Sequence, residues 1–120
     1  MKRLLIIAVT TIFAINLFGN IAFAEDRNAG PIAYATVAEN GTVYSGTPNV
    51  SVAWNALGAY EVTISNEYYN FRSYSTVVTV SGSEPVIATT NSNSNKLVIF
   101  LSDLKGAKVQ RCFQFVVYKP

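Results

Sequence analysis

From residue 32 onward, apolar and polar side chains tend to alternate one by one, and the runs are short. Tyr60, Val62 and Ile64 interleave with Glu61, Thr63 and Ser65. Val50, Val52 and Trp54 interleave with Ser51 and Ala53. A period of two places one set against a core and the other toward water, which is the signature of a half-buried β-strand. No stretch after residue 24 carries a 3.6-residue period. The pattern predicts strands over 32–38, 42–45, 49–54, 60–64, 74–80, 86–90, 96–101 and 109–118. Turn-forming residues separate them, notably Asn40-Gly41, Gly46-Thr47-Pro48, Ser81-Gly82 and Asp103-Leu104-Lys105-Gly106.

About eight short strands at this spacing predict an all-β fold, an antiparallel β-sandwich of jelly-roll-like type. Asn40-Gly41 predicts a tight type I′ hairpin. The polar run Asn91–Asn95 reads as a loop, and the nearly continuous apolar run Lys96–Leu101 as a strand covered on both faces. The expected core is Val52, Trp54, Tyr60, Val62, Ile64, Val78, Leu97, Ile99, Phe113 and Phe115.

The beginning of the chain follows a different rule. Lys2 and Arg3 precede an apolar run from Leu4 to Phe18, and Ala22-Phe23-Ala24 offers small residues at the −3 and −1 positions before Glu25. This is the layout of a cleaved secretory signal peptide over residues 1–24. An uncleaved anchor would need about 20 apolar residues, and Asn16, Gly19 and Asn20 interrupt the run. The expected organisation is a leader (1–24), a flexible lead-in (25–31) and one β-domain (32–120), secreted to the periplasm or the extracellular space, with no stable membrane insertion after cleavage.

Charge changes the picture once the leader is set aside. The chain has nine basic and seven acidic residues. Lys2 and Arg3 leave with the leader, so the mature chain carries seven of each. No basic patch remains for nucleic acid, which calls for clustered Lys and Arg. Charged residues make up 13% of the chain, against about 25% in an average domain, and a near-neutral surface favours self-association.

Candidate chemistry is thin. The chain has no histidine, which removes the usual general base, the Ser-His-Asp triad and the commonest metal ligand. With one cysteine and scattered carboxylates, neither a metal site nor a cofactor is expected, and no glycine-rich phosphate loop is present. Glu39, Glu61, Glu67, Glu84 and Asp103 sit in separate turns or on solvent faces. That pattern fits surface roles better than a paired-carboxylate hydrolase. The expectation is therefore a protein that is not an enzyme.

The densest aromatic segment is Tyr68-Tyr69-Asn70-Phe71-Arg72-Ser73-Tyr74. Its Tyr68, Tyr69, Asn70 and Arg72 are the candidate ligand-binding residues, because tyrosine rings beside an amide and a guanidinium can stack on sugars or anchor an interface. The competing reading is a strand edge whose alternate aromatics fill the core. Cys112 cannot form a disulfide within the chain; it is either a buried thiol or one half of an intermolecular bridge. In the last strand, Phe113, Phe115 and Val117 face one way, and Cys112, Gln114, Val116 and Tyr118 the other. A sandwich core covers only one face of each strand. Cys112, Val116 and Tyr118 are therefore candidate oligomer-interface residues.

Ala33-Tyr34, Asn40-Gly41-Thr42-Val43, Asn49-Val50-Ser51-Val52, Gly58-Ala59-Tyr60-Glu61-Val62-Thr63-Ile64 and the ending Phe113–Pro120 together resemble small bacterial β-domains. Such modules occur alone after signal peptides, or as tip and knob modules at the C-terminal ends of phage tail-fibre and collagen-like proteins. The resemblance implies a domain that trimerises and binds surfaces, hence a possible homotrimer, and it carries no catalytic residues. The functional expectation is a secreted adhesion-type module recognising a protein or glycan surface. A structural subunit of an extracellular fibre or matrix is the alternative, with a carboxylate-dependent hydrolase behind it.

Cleavage after Ala24 gives a chain starting at Glu25. Intact mass of the exported protein checks this; a mature species retaining residues 1–24 contradicts it.

Overall fold

The computed structural model describes residues 30–120. The expected leader, its expected cleavage site and nearly all of the expected lead-in lie outside the described residues. Eight strands follow: β1 (Pro31–Val37), β2 (Val43–Gly46), β3 (Val50–Ala56), β4 (Ala59–Ile64), β5 (Ser75–Val80), β6 (Ile87–Asn93), β7 (Lys96–Ser102) and β8 (Phe113–Tyr118). They form two four-stranded antiparallel sheets, ordered β2-β1-β8-β5 and β3-β4-β7-β6. The chain is the all-β sandwich its alternation predicts, and no helix occurs among the described residues.

Hairpins β1–β2, β3–β4 and β6–β7 each stay within one sheet. Because neighbours are antiparallel throughout, the connections collect at two ends. Residues 47–49, 65–74 and 94–95 share one end with Pro31 and Lys119, called here the terminal end. Residues 38–42, 57–58, 81–86 and 103–112 lie at the distal end.

The core lies between the inner faces. One sheet contributes Ala33, Ala35, Val37, Phe113, Phe115 and Val117; the other contributes Tyr60, Val62, Ile64, Leu97, Ile99 and Leu101, all at most 3% exposed. Alanines at two inward positions of β1 leave room for larger groups opposite. Tyr60 and Phe113 meet edge-to-face across the sheets, ring centroids 4.8 Å apart at 61°, the arrangement that aligns a ring's positive edge with its neighbour's negative face. The Tyr60 hydroxyl leaves the apolar layer by donating to the Glu39 carbonyl at 2.6 Å.

Several local expectations are corrected. The Asn91–Asn93 half of the polar run belongs to β6, paired residue by residue with β7. The chain reverses at Ser94 and Asn95, whose φ angles of 50° and 62° make the type I′ loop here. At Asn40-Gly41 only Gly41 is left-handed (φ 88°). Gly41 N–H donates to the Ala38 carbonyl at 2.9 Å, and Ala38 N–H to the Thr42 carbonyl at 2.8 Å. That is a three-residue loop with a glycine bulge, not a type I′ turn. A Cβ at Gly41 would stand 3.2 Å from the Trp54 Cβ, so the glycine also serves a close approach.

Trp54 points to the inner face opposite Tyr60, yet it is 47% exposed. It sits on an edge strand near the distal end, where the facing element is the four-residue β2 and its hairpin. There is too little opposite it to bury an indole. Val52 and Val78 are half-buried for the same reason: both lie on edge strands. Phe100 is 39% exposed because the outer face of its sheet is open, so β7 is not covered on both faces along its length. The last strand begins at Phe113, not Val109. Val109 N–H donates to the Leu101 carbonyl at 3.2 Å, and Ser102 bridges Lys108, so residues 103–109 fold back on the end of β7.

Candidate functional site

The aromatic segment forms the β4–β5 connection at the terminal end. Its shape follows from local hydrogen bonds. Asn66 takes a left-handed φ of 63°, and Glu67 N–H donates to the Ile64 carbonyl at 3.1 Å, turning the chain out of β4. The Asn70 side chain accepts from Arg72 N–H at 2.9 Å. The Asn70 carbonyl accepts from Ser73 N–H and Tyr74 N–H, both at 3.0 Å. These bonds wind residues 70–74 into one tight turn, the local back-bonding for which Asn is suited.

That turn separates the aromatics. Tyr69 is 2% exposed; its ring lies 5.2 Å from that of Tyr74, and its hydroxyl shares a 2.7 Å hydrogen bond with the Thr76 hydroxyl. Tyr69 is therefore a core anchor, and its expected place on the ligand surface is corrected. Strict alternation lapses in an irregular loop, so the sequence could not separate Tyr68 from Tyr69. Tyr68 is 77% exposed and Phe71 51%. Asn70 and Arg72 are also exposed, and the Arg72 guanidinium stands 5.8 Å from the centre of the Phe71 ring, within cation–π range. Phe71 is thus a member of the surface that Tyr68, Asn70 and Arg72 form.

The β6–β7 hairpin borders this surface. Its Asn95 carbonyl accepts from Tyr69 N–H at 3.0 Å, and its Ser92 hydroxyl from Phe71 N–H at 3.4 Å. The result is a rim of hydroxyls and amides beside two exposed rings.

Glu67 braces the platform from below. Its Oε2 accepts from the Tyr74 hydroxyl at 2.7 Å and pairs with the Lys119 ammonium at 3.1 Å. The Tyr74 hydrogen bond is the main cause holding the Glu67 carboxyl below its ordinary range; partial burial opposes it and Lys119 assists. The same bond pushes the Tyr74 hydroxyl up. This triad joins residues seven and 52 positions apart in sequence, and no local motif announces it.

The expected interface residues separate into two places. Val116 and Tyr118 lie on the outer face of the first sheet. Tyr34, Val116 and Val77 stand in direct register across β1, β8 and β5, and Tyr34, Val77 and Tyr118 are 50%, 58% and 41% exposed. Cys112 precedes the strand. It is half-buried and free, and it lines a distal-end cleft of about 330 Å³ with Ala38, Glu39, Asn40 and Tyr44.

Of the other candidate carboxylates, Glu39 lines the distal cleft with no side-chain partner among the described residues, and the remaining three are engaged in the framework. Glu61 pairs with Lys96 at 3.2 Å and Glu84 with Arg111 at 3.3 Å. The Asp103 carboxylate accepts from Lys105 N–H and Ala107 N–H, each at 2.9 Å. The chain matches no family model, no curated protein and no solved structure.

Glu67 sets an acid limit for the platform. A carboxyl whose folded pKa is depressed contributes stability at pH above its unfolded pKa, and the contribution is lost as pH falls through the folded value. Thermal unfolding across the acid range is expected to show a falling Tm below the ordinary carboxylate range, and Glu67→Gln is expected to flatten that slope while lowering Tm at neutral pH. An identical acid slope in both proteins contradicts the assignment.

Proposed function

We propose that the mature chain is an exported, non-enzymatic binding module that docks on a protein or glycan surface through the terminal-end platform of Tyr68, Asn70, Phe71 and Arg72. The observation that carries this reading is the pairing of exposed rings with a fixed frame. Tyr68 and Phe71 face water, while the loop beneath them is tied down by Tyr69, Tyr74 and Glu67. A platform ordered before binding loses little conformational freedom when it engages a ligand. Rings flanked by the amides and hydroxyls of Ser92–Asn95 suit sugars, which offer an apolar face and a fringe of hydroxyl groups. Four of the five candidate carboxylates, Glu61, Glu67, Glu84 and Asp103, are engaged in ion pairs and turn hydrogen bonds, which supports a role without carboxylate catalysis. The resemblance to phage and collagen-like tip modules belongs to this reading, as do export and a surface partner.

The test is a glycan array probed with the exported protein and with the double variant Tyr68→Ala/Phe71→Ala. Both side chains are largely outside the core, so far-UV circular dichroism is expected to be unchanged. Array binding is expected to fall at least tenfold. Equal binding by the two proteins contradicts the platform.

A further inference from the structure

The sandwich has four edge strands: β2 and β5 in one sheet, β3 and β6 in the other. An edge presents a row of unpaired amide and carbonyl groups, and monomeric β-proteins blunt such edges with short strands, bulges, prolines or charges. Two of the four are treated in this way, and a third is partly covered by a loop. β2 has four residues, a register shift against β1 and Pro48 soon after it. β3 follows Pro48 and carries a register shift between Trp54 and Ala56. β6 itself has no charge, proline or register shift, but the 65–74 loop lies against it, bonding to the Ser92 side chain and to Asn95 just beyond its end.

β5 has none of these devices. Its six residues, Ser-Thr-Val-Val-Thr-Val, contain no charge, proline or glycine. They pair with β8 in unbroken register from Ser75↔Tyr118 to Val80↔Phe113. Among the described residues, no backbone hydrogen bond from a loop reaches residues 75–80. Val77 stands 58% exposed on the outer face, at the open end of the Tyr34–Val116–Val77 row.

We propose that β5 is a dimerisation strand: two copies of the chain pair their β5 edges antiparallel about a two-fold axis at Val77, joining two four-stranded sheets into one. Residues directly opposite each other in an antiparallel pair share a face, so each Val77 meets its counterpart. The apolar row then runs unbroken from Tyr34 of one copy to Tyr34 of the other. The occupant is a second copy because this arrangement is self-complementary in charge as well as in shape. Arg72 lies just before β5, and among the described residues it makes no ion pair. Glu84 lies just after β5, with its side chain 77% exposed and held by a single surface bridge to Arg111, a weak tether. Antiparallel pairing about Val77 sets Arg72 of each copy opposite Gly82 of the other, two residues from Glu84, within reach of a long side chain. A two-fold contact of this kind is isologous and closes at two copies, whereas the family resemblance implies three.

The test uses protein exported from the full chain. Light scattering at micromolar concentration is expected to give the mass of a dimer, and Val77→Lys the mass of a monomer with unchanged circular dichroism. Opposed residues of an antiparallel pair stand about 4.5–5.5 Å apart at Cα, within disulfide range. Mild oxidation of Cys112→Ser/Val77→Cys is therefore expected to yield a covalent dimer, and Cys112→Ser/Ser51→Cys on β3 to stay single. A monomer or trimer mass for the parent protein overturns the proposal. So does a missing Val77 cross-link, or cross-linking at Ser51 of equal yield.

Discussion

The contact of Tyr60 with Phe113 is the constraint on which the rest of this molecule depends. Each ring lies within the apolar layer, one from each sheet, and each is fully buried. Tyr60 then reaches past the layer to the Glu39 carbonyl, so one side chain both joins the sheets and fixes the β1–β2 hairpin. Burial and the neighbouring Glu39 raise the pKa of its hydroxyl, keeping it a neutral donor. With no disulfide available to Cys112, this aromatic clasp and the aliphatic residues around it hold the sheets face to face.

The two ends of the sandwich inherit different properties from that core. At the terminal end, Tyr69 and Tyr74 extend the buried aromatic cluster into the β4–β5 connection, and Glu67 ties that connection to Lys119 beyond β8. The loop is held as part of the fold, and Tyr68 and Phe71 are left on its surface. At the distal end, β2 is short and little lies opposite Trp54, so the indole and Tyr44 remain exposed. An exposed ring thus has two origins here: display from a braced loop, or lack of a facing strand.

Much of this architecture was legible in the amino-acid pattern. Alternation at Tyr60–Ile64 and Phe113–Val117 identifies the inward residues, because those strands are central and have neighbours on both sides. Trp54 and Val78 follow the same alternation, but their edge positions expose them, and a sequence does not reveal which strands are edges. The Asn-Ser run at 91–95 looks like a loop by composition; the long ladder with β7 makes most of it strand, and the reversal needs only Ser94 and Asn95. In the platform, the cluster of aromatics was visible, but its division into buried Tyr69 and exposed Tyr68 arises from the Asn70 turn. Glu67 and Lys119 become partners only because β4 and β8 end on the same side.

A double-mutant cycle on Tyr60 and Phe113, each replaced by Leu singly and together, tests the central claim by equilibrium unfolding. Leucine keeps the position apolar while removing the ring, so the cycle isolates the ring pair. The account predicts a coupling of about 0.5–1.5 kcal/mol, the range for an edge-to-face aromatic pair beyond its burial. Strictly additive losses would mean that the two sheets are not locked through this contact.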